Sequence, residues 1–145
     1  MASRNVLEIK LMAEMVQTHR ENAGATVLVV EDEFIIRDLM VELLTEDGYT
    51  VLDAGDGPAA LALLESGQKI DLLITDVRLP GLDGRALADA ARQLWPDVKI
   101  LLVTGFADKE LASGLLPGMA IILKPFEMEA LLSQARQMVH NGTLA

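Results

Sequence analysis

Five short apolar runs alternate with amphipathic stretches from residue 26 to residue 140. Each run is about five residues long and rich in Val, Ile and Leu: 26–30, 50–54, 71–75, 99–103 and 119–123. The stretches between them space apolar residues three and four apart, as buried helices do. One example is 33–47, with a predicted buried stripe of Ile36, Leu39, Met40 and Leu43. Alternating strands and helices predict an α/β fold, a parallel sheet covered by helices.

Turn and capping residues set the expected limits of the other helices. A second helix starts at Asp56-Gly57-Pro58 and ends at 66–67, since Asp caps helices and Pro suits their first turn. A third covers 85–94, with Leu87, Ala90, Ala91 and Leu94 on one face. A short helix at 108–113 is broken by Gly114, Pro117 and Gly118, and the last helix covers 127–140.

The strands differ in how apolar they are, which predicts their order. Runs one and three are apolar on both faces, as central strands are, whereas runs two and five look like edges. With right-handed crossovers and short loops, this favours a doubly wound, five-stranded parallel sheet in the order 2-1-3-4-5.

Residues 1–24 stand apart from this pattern. Residues 6–20 are mostly helix-forming but apolar on more than one face, and residues 22–24 are interpreted as a linker. Four interpretations stay open for this N-terminal extension. It could be a dimerisation helix, a helix packed on the rest of the chain, the tail of a longer protein, or a disordered start-codon artefact.

Composition narrows the function classes. A chain of 145 residues predicts one domain, and 51% apolar residues with only 3% aromatic ones suit α/β units. A net charge of −10 argues against direct binding to nucleic acid or an anionic membrane. The chain has no cysteine, no run of 18 apolar residues and no signal-peptide pattern. We therefore expect a soluble, cytoplasmic protein.

Polar side chains stand where four of the apolar runs end. They are Glu31 and Asp32, Asp76, Thr104, and Lys124. Because the carboxyl ends of parallel strands lie along one edge of a sheet, these residues should meet there. Singly, each has an ordinary explanation, such as a turn acid or a favourable charge at a helix N-terminus. Together, three acids, a hydroxyl and an ammonium suit Mg²⁺ and a phosphoryl group, with one carboxylate as acceptor.

Four sequence fragments carry a family resemblance. They are VLVVEDE (27–33), DLLITDVRLPGLDG (71–84), LLVTGFA (101–107) and ILKPF (122–126). In this order, each at a strand end, they resemble the receiver domain of two-component response regulators. The similarity covers about residues 25–139, and we assign 25–145 to this domain. It implies the flavodoxin-like receiver fold with strand order 2-1-3-4-5.

The resemblance implies a metal site and a phosphoacceptor. Asp32, Asp76 and the backbone carbonyl of Arg78 would bind Mg²⁺ directly, and Glu31 would act through water. Asp76 would take a phosphoryl group from a histidine kinase or phosphotransfer protein by nucleophilic attack. Thr104 and Lys124 would contact the phosphoryl oxygens.

The resemblance also implies an output. Phosphorylation would change the face formed by the helix after strand four, strand five and the last helix. A separate substrate would not be turned over.

Three positions bear on how the switch would work. The residue three before Lys124 is Ile121, where receivers often have Tyr or Phe, so the usual ring movement is absent. Phe106 could serve instead, or make a simple hydrophobic contact. Gly105 would keep the acceptor open to phosphodonors. Arg78 is a candidate for setting how fast water removes the phosphate, the alternative being a solvent-exposed side chain without a role.

Two other functions compete with the phosphoacceptor switch. A phosphatase of the haloacid dehalogenase type also phosphorylates an Asp at a strand end. It needs an acid two residues later, where this chain has Arg78, and its nucleophile follows the first strand. A pseudo-receiver would bind partners without phosphorylation. The chain ends soon after the last helix, so we expect a stand-alone receiver or one excised from a hybrid kinase. The sequence does not identify the kinase, the downstream protein or the phosphoryl lifetime, and a homodimer stays open.

Overall fold

The computed structural model describes residues 5–105 and 112–141. Five helices lie with both limits inside these ranges: α1 (Val6–Asn22), α2 (Phe34–Glu46), α3 (Gly57–Leu64), α4 (Gly84–Leu94) and α5 (Met128–Asn141). Its five strands are β1 (Thr26–Val30), β2 (Thr50–Ala54), β3 (Leu72–Asp76), β4 (Lys99–Thr104) and β5 (Met119–Leu123). None of the helices in these two described ranges is long and apolar enough to cross a membrane.

The strands form one parallel sheet in the order β2-β1-β3-β4-β5, which confirms the predicted topology. The register brings the carboxyl ends of the strands level with one another. Val30 pairs with Thr75, Asp76 with Val103, and Thr104 with Leu123. The polar residues that end these strands therefore stand on one edge.

Alternate side chains of each central strand build two cores, one on each face of the sheet. In β1, Leu28 and Val30 join the core that includes residues of α3 and α4, while Val27 and Val29 join the core under α2 and α5. All five residues of β1 and of β3 are buried. Helices on both faces explain why these strands are apolar throughout, and why β2, at an edge, carries exposed residues.

The predicted element limits are confirmed to within about two residues, with two corrections at the site. Asp76 and Thr104 are the last residues of β3 and β4 rather than the residues after them. Their backbones are therefore held by the sheet. The helix predicted at 108–113 lies largely outside the described residues, of which 112 and 113 are helical.

Two residues predicted to be buried are largely exposed, Leu39 at 41% and Leu94 at 43%. The buried residues of α2 are Met40 and Leu44, so Leu39 falls at the margin of the packed stripe. A helix turns by about 100° per residue, which is enough to move a side chain from core to surface. In α4, Leu94 lies on the same side of the helix as the buried Leu87, but it is the last residue of the helix.

The interpretation of residues 22–24 as a linker is wrong for Asn22. This residue ends α1 and is fully buried. Its Nδ2 donates to the backbone carbonyl of Asp47, after α2, and its Oδ1 lies 2.7 Å from Nε2 of His140 in α5. Arg136 of α5 also binds Asp47, at 2.7 and 3.0 Å. Polar contacts thus join the C-terminal ends of α1, α2 and α5.

The loop after Asp76 depends on Gly81 and Gly84. Gly81 has a φ of +83°, a region that favours glycine. At Gly84 the constraint is space, since a Cβ there would lie 2.0 Å from the carbonyl oxygen of Asp76. The Gly84 amide also donates to the Val77 carbonyl at 2.7 Å. The start of α4 therefore presses directly on the end of β3.

Gly84→Ala should destabilise the protein by about 2–4 kcal/mol, because only backbone atoms border the missing Cβ and they must shift. Gly105→Ala is the matched control, since a Cβ at Gly105 would meet nothing within 4 Å. Urea unfolding of both variants measures the difference. Equal stability of the two would show that the close approach at Gly84 carries no energetic weight.

Candidate functional site

The carboxyl edge of the sheet holds an open cavity of about 240 Å³. Its lining contains six residues from the predicted set or beside it: Asp32, Asp76, Arg78, Thr104, Gly105 and Lys124. Each of these residues lies at the carboxyl end of a strand or directly after it, on β1, β3, β4 or β5. The structure therefore brings together residues up to 92 positions apart, as the strand-end pattern predicts.

Glu31, Asp32 and Asp76 form the acidic part of the site. One carboxylate oxygen from each lies within 4.8 Å of the other two. The side chains of Glu31 and Asp76 are only 3% and 6% exposed, whereas Asp32 faces solvent. Three carboxylates at this separation repel one another strongly unless cations neutralise them.

Lys124 supplies one positive charge to this cluster. Its Nζ lies 2.9 Å from Oδ1 of Asp76 and 3.7 Å from Oε2 of Glu31. The backbone helps to position it, because the Lys124 amide donates to the Thr104 carbonyl at 2.8 Å. The following peptide bond to Pro125 is cis. One ammonium cannot balance three carboxylates, so the cluster keeps an excess of negative charge.

Burial raises the pKa of Asp76 above its ordinary value, and Lys124 opposes this increase by hydrogen bonding and by charge. The pKa is raised overall because the loss of hydration of the carboxylate outweighs the stabilisation that the partly exposed Lys124 ammonium provides. The fold therefore disfavours the ionised form of Asp76, the predicted acceptor.

The residues present fit a hard divalent cation. All the side-chain donors are carboxylate oxygens, the ligands that Mg²⁺ prefers. Oε1 of Glu31 is buried and has no hydrogen-bond partner in the described part of the chain. A buried carboxylate oxygen without a partner is costly, and a metal-bound water is a donor that would satisfy it.

The remaining predicted residues have mixed placements. Thr104 is 9% exposed at the cavity wall, and Gly105 leaves open space beside it. Arg78 lines the cavity with an exposed side chain. Ile121 is partly buried in β5 against the core that contains α4 residues, and not in the cavity. Phe106 lies outside the described residues.

The sequence analysis did not identify Arg37, which holds the loop of Glu31 and Asp32 in place. Its Nη1 donates to the carbonyl of Glu31 at 2.7 Å, and its Nε lies 3.2 Å from Asp53 of β2. The Phe34 ring stands 5.5 Å away in cation–π geometry. The only signal in the sequence is an arginine in the second turn of α2, six residues after Glu31, which no periodic pattern singles out.

Comparisons with known proteins agree with this geometry. Residues 27–136 match the profile of the response regulator receiver domain. The chain is 36% identical over 122 residues to the sensor kinase CckA of Brucella abortus, covering 81% of this chain and 13% of CckA. It is 32% identical over 115 residues to the response regulator receiver protein CpdR of the same species, covering 78% of this chain and 95% of CpdR.

Among solved structures, a response regulator receiver protein from Sinorhizobium medicae superimposes with a TM-score of 0.75. It is 32% identical and the match covers 81% of this chain and 96% of that one. The first curated relatives are longer, and this chain spans about half of their length or less. The profile match, the relatives and the strand order establish that the chain belongs to the response regulator receiver domain family of two-component signalling.

Proposed function

We propose that this chain is a phosphoacceptor switch in which Asp76 takes a phosphoryl group from a histidine kinase or phosphotransfer protein. The observation that carries the proposal is the setting of the Asp76 carboxylate. It is 6% exposed at the end of a central strand, 2.9 Å from Lys124 and within 4.8 Å of oxygens from two other acids. It also borders the open cavity, so a phosphodonor can reach it.

The chemistry follows from these neighbours. An Asp76 oxygen attacks phosphorus, the bond from phosphorus to the donor atom breaks, and an acyl phosphate forms. The negative charge of the transferring group increases the charge of an already acidic site, so catalysis depends on positioning and neutralisation. Lys124 is close enough to move from Asp76 to the phosphoryl oxygens, and Thr104 offers a hydroxyl at the cavity wall.

Mg²⁺ is the cofactor that we propose for this site. Asp32, Asp76 and the carbonyl of Arg78 would hold it directly, with Glu31 acting through a bound water. The ion would supply positive charge to the carboxylates and to the phosphoryl oxygens. The donor set and the unpartnered Oε1 of Glu31 support this assignment.

We further propose that residues 25–145 act as the receiver unit, with 1–24 as an extension, and that no separate substrate is turned over. The output surface would comprise the segment after β4, β5 and α5. Thr104 connects to it, because its carbonyl accepts the amide hydrogen bond of Lys124. Ile121 replaces the usual aromatic ring in β5. We therefore propose that phosphorylation shifts the population of conformers of the segment 106–118 instead, of which 106–111 lie outside the described residues.

Phosphorylation of Asp76 is the direct test. With Mg²⁺ and acetyl phosphate, the wild type should gain one acid-labile phosphoryl group, measured by intact mass, and Asp76→Asn should gain none. Asp97→Asn is the control, since this exposed acid lies before β4 and away from the cavity. Equal labelling of Asp76→Asn would refute the acceptor, and an unlabelled wild type would favour a pseudo-receiver.

The metal assignment predicts a graded loss of Mg²⁺ affinity. Asp32→Asn removes a direct ligand and should weaken binding by at least about tenfold, or roughly 1.4 kcal/mol. Glu31→Gln should weaken it by a smaller factor, because it acts through water. Calorimetric titration measures both against Asp97→Asn. Unchanged affinity in Asp32→Asn would contradict the proposed ligand set.

The raised pKa of Asp76 predicts how stability depends on pH when metal is absent. Between the unfolded and folded pKa the native state binds more protons than the unfolded state, so stability falls as pH rises through the folded pKa. In EDTA at pH 7, Asp76→Asn should therefore be more stable than the wild type. Urea unfolding should show this advantage shrinking as pH falls through the folded pKa of Asp76 and disappearing below the ordinary pKa of 3.8.

The same urea unfolding is repeated with saturating Mg²⁺ in place of EDTA. A ligand that binds only the native state stabilises it, so saturating Mg²⁺ should raise the stability of the wild type far more than that of Asp76→Asn. Asp97→Asn should follow the wild type in both arms. A stability difference that does not change with pH or Mg²⁺ would show that the ionised Asp76 is not the cause.

A further inference from the structure

Helix α1 exposes more apolar side chain than any other helix in the described residues. Each of its seven large apolar residues is at least 46% exposed: Val6, Leu7, Ile9, Leu11, Met12, Met15 and Val16. Together they present on the order of several hundred Å² of apolar surface, the size that marks interaction sites on soluble proteins. Most of the stability of helices in proteins comes from packing of an apolar face, so we expect the apolar residues of this 17-residue helix to pack on a partner surface.

The apolar residues of α1 form two stripes with different surroundings. Leu11 and Met15 line a groove of about 680 Å³, whose other walls include Leu43 of α2 and Leu132 of α5. This stripe thus faces the body of the same chain. The second stripe consists of Val6, Ile9, Ala13 and Val16, spaced three, four and three residues apart. That is the a/d spacing of helices that pack against another helix.

The C-terminal end of α1 is anchored to the domain, which orients the second stripe away from the groove. Asn22 at its C-terminal end is fully buried between the Asp47 carbonyl and His140. The Asn22 carbonyl also accepts a hydrogen bond from the Ala25 amide at 3.0 Å.

Charge selects the class of partner. Residues 1–24 are neutral, because three basic and three acidic residues cancel: Arg4, Lys10, Arg20, Glu8, Glu14 and Glu21. The whole net charge of −10 therefore lies in residues 25–145. Nucleic acid and anionic membranes reward a basic excess that this segment lacks. A basic partner would be drawn to the acidic domain instead, whereas a neutral apolar stripe suits another neutral apolar stripe.

We propose that α1 is a homodimerisation helix, whose stripe of Val6, Ile9, Ala13 and Val16 packs on the same stripe of a second copy. A two-fold interface uses the same patch on both partners, and this stripe is self-complementary in charge and polarity. The helix is about 25 Å long. With flanking residues such as Met12, it can supply much of the ~800 Å² that each partner buries in a standard interface. The proposal is independent of the function proposed for Asp76.

Sedimentation equilibrium of the 145-residue chain tests this across a concentration series. The wild type should show a concentration-dependent dimer, and Ile9→Glu/Val16→Glu should weaken dimerisation by at least about 100-fold, since it places unpaired charges in an apolar contact. Leu94→Glu is the matched control. Leu94 is 43% exposed, close to the 51% of Val16, but it ends α4 and lies outside the proposed output surface. This control should keep the wild-type dimer.

A charge-exchange experiment separates a lost contact from a lost fold. Ile9→Lys/Val16→Lys should be monomeric alone, as should the Glu variant, while an equimolar mixture should form a heterodimer. The chain has no cysteine, so Val16→Cys adds a single thiol. In a parallel pair, oxidation should couple it into a disulfide dimer, whereas Lys10→Cys, outside the stripe, should couple much less. In an antiparallel pair Val16 lies opposite Val6, and a mixture of Val16→Cys with Val6→Cys should couple instead.

Three results would overturn the proposal. They are a wild type that stays monomeric at several hundred micromolar, a dimer that survives in the Glu variant, and failure of the Glu and Lys variants to associate when mixed. Equal loss of the dimer in Leu94→Glu would also overturn the proposal, because it would place the interface elsewhere. Circular dichroism of each variant checks that the receiver domain remains folded.

Discussion

Burial of β1 and β3 on both faces is the constraint from which the rest of this structure follows. Neither strand has an exposed residue, so their polar chemistry is confined to the ends. Parallel pairing in register then aligns those ends on one edge. Asp76 is positioned most firmly, because it is the last residue of a central strand and the sheet holds its backbone. A site built on strand ends is more rigid than one built on loops alone.

The same confinement creates an electrostatic conflict that defines the site. The fold brings three carboxylates within 4.8 Å and gives them one half-exposed ammonium. Such a cluster favours the binding of positive charge, and burial in it raises the pKa of Asp76. Arg37 holds the backbone of the acidic loop by donating a hydrogen bond to the Glu31 carbonyl. It does not neutralise a carboxylate that faces the cavity. The site is thus held in place while it lacks cationic charge.

Local sequence signals predicted the features that depend on short segments. The strand order, the edge position of β2 and the meeting of Glu31, Asp32, Asp76, Thr104 and Lys124 all follow from apolar runs and from the residues that end them. The exposure of Leu39 did not follow, because spacing defines a stripe but not its centre on the sheet. Asn22 and Arg37 were missed for another reason. Their partners, Asp47, His140 and Asp53, are distant in sequence, so no local pattern contains the contact.

Helix α5 joins the two ends of the molecule. It begins four residues after Lys124, whose ammonium binds Asp76, and its His140 contacts the Asn22 that fixes α1. Arg136 strengthens this contact at the end of α1, because it also binds Asp47, and its hydrogen bond to Asp47 raises the pKa of Arg136. A displacement of α5 on phosphorylation would therefore reach the base of α1. Coupling of this kind is reciprocal: if phosphorylation changes the dimer affinity by some factor, dimerisation changes the equilibrium of phosphorylation by the same factor. Helix α5 is the element through which that factor would be set, since it contacts both α1 and the core beneath the site.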